Sequence, residues 1–298
     1  MNPGPPHTTR VLMVFAHADD ETLLAGALIA KLVSVGLEVK VLCLAPGGGK
    51  RQLRLRKACG VLGVSAVEIL RYAEGAMWPD EEVESHVASP SGMRFNENGG
   101  DARSTTARAP LLATAPVGDV AGRIAGRISE YDPDIVITHS RYGDYGHADH
   151  AATYHATLQA FEASACERSR LYAIAWPKFL VGLNRRMLKI GGRDIRRMGP
   201  AGRFDLPMAI QCRSSSDAAS VTSVTIRVAD MLGLRRTASR WYALELSKGP
   251  LPLRILERLP TWLQRTVLGK ARLTLVRAPG GFSPGRSGRR GHSTGEDL

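Results

Sequence analysis

The apolar run Val11 to Phe15 ends abruptly in Ala16-His17-Ala18-Asp19-Asp20-Glu21, and a helical-looking stretch begins at once behind it. An imidazole and two carboxylates packed into one turn either repel one another or chelate. At a strand end, where open α/β sheets keep their ligand crevice, they point to a metal site. His nitrogen and Asp oxygen are standard zinc ligands, and a catalytic zinc site has three protein ligands with one position open for water. His17 and Asp20 would supply two of the three. Asp19, aimed elsewhere from the same turn, would be left to take a proton from that water.

The third ligand should come from a second strand end. Gly143-Asp144-Tyr145-Gly146-His147-Ala148-Asp149-His150 follows the apolar run Ile135-Val136-Ile137 and offers it. On a helix His147 and His150 would share a face, so that one can bind metal while the other faces substrate. Alone, H-x-x-H is a weak signal; paired with A-H-x-D-D at an equivalent strand end it is a strong one. Tyr145 is placed to reach a tetrahedral oxyanion or a sugar hydroxyl. A histidine such as His139, at the end of the strand itself, is more often hydrogen-bonded for structure than used at a site.

These two segments resemble the signatures A-H-P-D-D-E and G-H-P-D-H of the PIG-L/LmbE-like family of zinc-dependent de-N-acetylases, a resemblance that runs from about residue 10 to about residue 160. Carried over residue by residue, it implies one Zn2+ per chain on His17, Asp20 and His150, with Asp19 as general base. His147 would stabilise the oxyanion or protonate the leaving amine, and Asp149 would orient that imidazole. In the family an Arg and an acid near the helix after the second strand contact the sugar or order the loop. Arg51 matches the Arg and is thereby a substrate-binding candidate, whereas Arg54 stands where the acid is usual. Ala18 and Ala148 replace the usual prolines, which touches turn rigidity and no ligand. Fe2+ can occupy His/Asp sites as well.

The rest of the chain fits an α/β class: a Rossmann-like open, mainly parallel sheet with helices on both faces, plus a C-terminal extension. Strands are expected at Arg10 to Phe15, Glu38 to Leu44, Val67 to Leu70, Asp134 to His139 and Leu171 to Trp176. Helices are expected at Glu21 to Val35, Arg51 to Leu62, Val117 to Tyr131 and His147 to Phe161. Ala45-Pro46-Gly47-Gly48-Gly49-Lys50 is either an anion-binding turn ahead of a helix or a flexible loop, and it is no dinucleotide fingerprint. The polar stretch Met77 to Pro116 reads as a lid, a binding loop or disorder. The expected organisation is a disordered leader (1–9), an α/β deacetylase core (10–176), a basic C-terminal region completing or covering the core (177–279) and a disordered tail (280–298).

Charge narrows the partners. The formal net charge is +12, concentrated in Arg185 to Arg203 and Lys248 to Leu298, which implies attraction to anions. No helix-turn-helix or RNP-type motif accompanies it, so nucleic acid is not expected. Leu251 to Val276 reads as a basic amphipathic surface, for a membrane periphery or a lipid-bearing substrate, or as a packed helix with a solvated basic face. Cys43, Cys59, Cys166 and Cys212 form no C-x-x-C pair, which speaks against a disulfide framework and for a reducing cytoplasm. No stretch approaches the ~20 apolar residues of a spanning helix. The expected function is zinc-dependent hydrolysis of an N-acetyl group on a 2-amino sugar or glycoconjugate. The alternatives are an amidase of a pseudodisaccharide thiol conjugate in the same family and a non-enzymatic anion- or nucleic-acid-binding protein on this scaffold; a two-metal phosphoesterase would want more carboxylates.

Overall fold

The computed structural model describes residues 8–75, 109–175, 186, 223–248 and 251–278. The expectations for 1–7, for most of the 77–116 stretch, for Trp176, for nearly all of the 185–203 basic cluster and for 280–298 fall outside them.

The first strand, β1 (Arg10–His17), is buried from its second residue to its last. Its side chains alternate between two cores, as a strand covered on both faces requires. Leu12, Val14 and Ala16 face the core built from α4 (Val117–Tyr131) and α5 (Ala148–Ser164). Val11, Met13 and Phe15 face the core built from α2 (Gly26–Ser34) and α3 (Gly49–Leu62). The sheet is completed by β2 (Glu38–Ala45), β3 (Ala66–Ile69), β4 (Ile135–Thr138), β5 (Arg170–Ile174), β6 (Ser223–Arg227) and β7 (Lys270–Arg277). Its order is β3-β2-β1-β4-β5-β7-β6. The first five strands in that order are parallel, and β7 and β6 add antiparallel edges. The chain leaves β1 toward β2 on one side and returns at β4 on the other. The crevice at that reversal, outside the carboxyl ends of β1 and β4, is where ligands bind in such sheets, and both motifs follow those two strands.

Two expectations are corrected. The helix of Glu21 to Val35 is two helices, α1 (Asp20–Leu23) and α2, separated by a turn at Leu24-Ala25. Leu24, Leu28 and Leu32 keep helical spacing across the break, so periodicity alone does not reveal it; α1 is instead bound by side chains around Asp20 and Glu21. The Leu251 to Val276 stretch is not one amphipathic helix. It forms α8 (Leu251–Arg258), α9 (Thr261–Leu268) and the start of β7, whose alternation of Lys270, Arg272 and Thr274 with Ala271, Leu273 and Leu275 has the period of a strand. Between β6 and α8 run α6 (Leu232–Ser239) and α7 (Ala243–Lys248), joined by a 3-10 turn, Arg240–Tyr242. Among the described residues no helix is long and apolar enough to cross a membrane.

Candidate metal centre

β1 delivers His17 as its last residue, buried and 3% exposed. The next turn folds Asp20 back so that its Oδ2 accepts the backbone N–H of His17 at 2.8 Å. From β4 a loop turns on Gly143, at φ 71, where any side chain would collide with the carbonyl oxygen of His147. That turn makes His147 the N-cap of α5 and brings His150 in its first turn over the end of β1.

Three residues converge. His17 Nδ1 is 3.2 Å from His150 Nε2 and 3.5 Å from an Asp20 carboxylate oxygen, and His150 Nε2 is 3.3 Å from the other. Ligands about 2.0–2.1 Å from a tetrahedral ion stand roughly 3.3–3.4 Å from one another, so the residues fit a divalent metal of zinc's size. Both imidazoles give their remaining nitrogen to a buried carboxylate: His17 Nε2 meets Asp149 Oδ2 at 2.9 Å, and His150 Nδ1 meets Asp144 Oδ2 at 2.9 Å. Carboxylate–histidine pairs of this kind fix the tautomer of a metal ligand and raise its basicity.

His139 also lies in this cluster, stacked on His150 with ring centroids 4.0 Å apart. Its Nε2 accepts the backbone N–H of Ala16 at 2.9 Å, so that lone pair is engaged, while Nδ1 meets Asp144 at 2.6 Å. His139 therefore fits the role of a structural prop to Asp144 better than that of a ligand. Asp144 was not singled out in the sequence. The one signal that points to it is that a metal-binding histidine wants a carboxylate behind it, and Asp144 is the acid in that loop.

Asp19 sits beside His17, Asp20 and His150. Burial pushes its carboxyl up to about 7, against the pull of the Arg51 guanidinium. Arg51 donates from Nε to Ala18 O at 2.9 Å and from Nη2 to Asp19 Oδ2 at 3.2 Å, and its Nη1 is bonded to Glu74. The residue expected to bind substrate thus has all three guanidinium nitrogens on the wall of the site, where it holds Asp19. Arg54, in the position usual for an acid, pairs with Glu245 at 2.6 Å.

His147 is buried and faces the other two imidazoles, its ring 4.7 Å from that of His17 and 4.9 Å from that of His150. Burial and these two rings hold its pKa well below the usual imidazole value, so it is neutral. The expected pairing of the Asp149 carboxylate with the His147 imidazole is corrected. What Asp149 offers His147 is its backbone N–H, donated to Nδ1 at 3.2 Å, while its Oδ2 takes His17 and the Gly75 N–H at 2.8 Å. Residues two apart on a helix point to different faces, which turns the carboxylate away from His147. Tyr145 is half-buried, with its ring 5.2 Å from His150 and 6.2 Å from His147.

Residues 12–161 match the family described as PIG-L, GlcNAc-PI de-N-acetylase. A 1D-myo-inositol 2-acetamido-2-deoxy-alpha-D-glucopyranoside deacetylase of Tsukamurella paurometabola is 28% identical over an alignment of 307 positions, covering 94% of this chain and 96% of that protein. A protein of the same description from Mycolicibacterium gilvum is 33% identical over 187 positions, covering 55% and 58%. Of solved structures, the zinc-inhibited form of a teicoplanin deacetylase has a TM-score of 0.55 at 19% identity, covering 92% of this chain and 100% of that one. An A40926 pseudoaglycone deacetylase has a TM-score of 0.54 at 16% identity, covering 90% and 97%. These two likenesses are of fold. The family match spans both strand ends that carry the converging histidines and carboxylates, and the chain belongs to the PIG-L family.

Proposed function

We propose that the protein is a metal-dependent hydrolase that removes the N-acetyl group from a 2-amino sugar, releasing acetate and a free amine. The observation that carries this is the convergence of His17, Asp20 and His150 at 3.2 to 3.5 Å beside the Asp19 carboxylate, which Arg51 meets at 3.2 Å. The deacetylase relatives support an N-acetylglucosaminyl-inositol as substrate. Zn2+ is the metal the donor set favours, with Fe2+ the alternative. Bound by these three residues, it would supply Lewis acidity toward the amide carbonyl and acidify a water.

The chain's own residues would do the rest. Asp19, ionised, accepts the proton of the attacking water and later returns it to the departing amine. Arg51 keeps that carboxylate oriented. His147 accepts the Asp149 N–H at Nδ1, which leaves its proton on Nε2, the tautomer that donates a hydrogen bond to the amide oxygen as charge develops there. Of the two roles expected for His147, oxyanion stabilisation suits a neutral imidazole better than proton delivery. Tyr145 would add a second donor. A reducing, cytoplasmic setting is part of this reading, on the ground that the four cysteines form no C-x-x-C pair.

The test is metal content by elemental analysis of the purified protein and of His150→Ala, with amine release from N-acetylglucosaminyl-inositol measured on the same samples. We expect about one metal per chain, lost in the variant together with amine release. A protein that stays metal-free after incubation with zinc or ferrous iron would overturn the reading.

A further inference from the structure

Asp19 stands at φ 135 and ψ −27, a conformation that is strained for a non-glycine residue and persists only where surroundings impose it. Its carbonyl oxygen accepts from Thr22 N at 3.0 Å and Leu23 N at 2.7 Å, which ties it to α1. Its own N–H donates to Glu21 Oε2 at 3.0 Å. Glu21 is fully buried, and its other oxygen receives two hydroxyls, Thr22 at 2.6 Å and Tyr242 at 2.8 Å.

Tyr242 reaches this carboxylate from 221 residues along the chain and is itself 0% exposed. It comes from the 3-10 turn behind α6, and α6 holds the same helix by a second contact. Arg235 donates from Nη2 to Leu23 O at 3.0 Å and lies so close that a side chain at Gly26 would meet its Cγ at 3.1 Å. The C-terminal region therefore grips α1, and the Tyr242 hydroxyl lands on the carboxylate that fixes the backbone of Asp19.

We propose that Tyr242 is a positioning residue for the reaction. Acting through Glu21, its hydroxyl holds the Asp19 backbone and so sets the direction from which the Asp19 carboxylate meets the water. This rests on the assignment of Asp19 as the base made above.

The test uses the full metal-loaded chain and a double-mutant cycle. Tyr242→Phe keeps the ring and deletes the hydroxyl. It is expected to lower kcat for amine release from N-acetylglucosaminyl-inositol roughly tenfold, with KM and metal per chain within about twofold. In an Asp19→Asn background the same substitution should leave the residual turnover within about twofold, because no base remains to be positioned. Glu21→Met, which keeps volume and removes both acceptor oxygens, must repeat the pattern and serves alone if Tyr242→Phe does not fold. An unchanged kcat in Tyr242→Phe, an equal factor in both backgrounds, or a parallel loss of metal would overturn the proposal. Normal turnover by Asp19→Asn itself would strike the base assignment first, so the two failures are told apart.

Discussion

Nδ1 of His150 lies 2.9 Å from Oδ2 of Asp144, a buried carboxylate outside both motifs. Burial alone would raise the Asp144 carboxyl, but His139 and His150 outweigh it and hold it well below the usual carboxylate range, so it is anionic at neutral pH. The bond turns Nε2 of His150 toward Asp20 and His17. Without it His150, a proposed ligand, loses both its orientation and part of its basicity. Asp144→Ala should therefore weaken metal binding 10–100-fold, read by competition with a chromogenic chelator. An unchanged affinity would mean that the carboxylate is a bystander.

Asp149 separates two roles that the sequence alone merges. Its carboxylate stands on His17, a proposed ligand, and its backbone N–H on His147. Asp149→Asn leaves the backbone donor in place and weakens the charge behind His17. We expect metal affinity to fall on the order of 10-fold and kcat to recover when excess metal is supplied. A kcat that stays low at saturating metal, with affinity unchanged, would return Asp149 to the His147 imidazole.

The fold's stability should rest on the helix faces that cover the switch-point strands. Ile124, at 0% exposure, points from α4 into the core shared with Leu12, Val14 and Val136. Ile124→Ala should cost about 2–5 kcal/mol, seen as a lower urea midpoint with unchanged metal stoichiometry in the folded fraction. A loss under about 1 kcal/mol would mean that α4 packs loosely.

The strands β1 and β4 and the turns behind them are legible because each apolar run ends in a cluster of ionisable groups, and β2 because its run ends in Pro46-Gly47-Gly48-Gly49. His17, Asp20 and His150 could be named from that alone together with the resemblance. The break between α1 and α2 was hidden, since Leu24, Leu28 and Leu32 keep their helical spacing through it. The sequence suggests that Asp149 orients the His147 imidazole, but from the first turn of α5 its carboxylate meets His17 and only its backbone N–H meets His147. The Tyr242–Glu21 contact spans 221 residues, and nothing local marks it. Sequence position marks Arg51, and only the approach of α3 to the turn after β1 sets it on Asp19.

The Arg51–Asp19 pair makes the pH dependence of the reaction a test of the base. Burial pushes the Asp19 carboxyl up to about 7, and Arg51 opposes that push. Only the ionised carboxylate can take a proton, so kcat/KM should rise with pH on an acid limb and level above it. Arg51→Met removes the cation at 3.2 Å, stabilises the protonated form, and should carry that limb to higher pH by roughly one unit or more. Asp19→Asn should keep its metal and lose about 10²–10⁴-fold in kcat, with the limb gone. The measurement is a kcat/KM profile from pH 5 to 9 on the three proteins at equal metal content. An acid limb that stays in place in Arg51→Met would assign the titration to a group other than Asp19, and the neutral imidazole of His147 could not supply it, because burial and its two histidine neighbours hold its pKa well below this range.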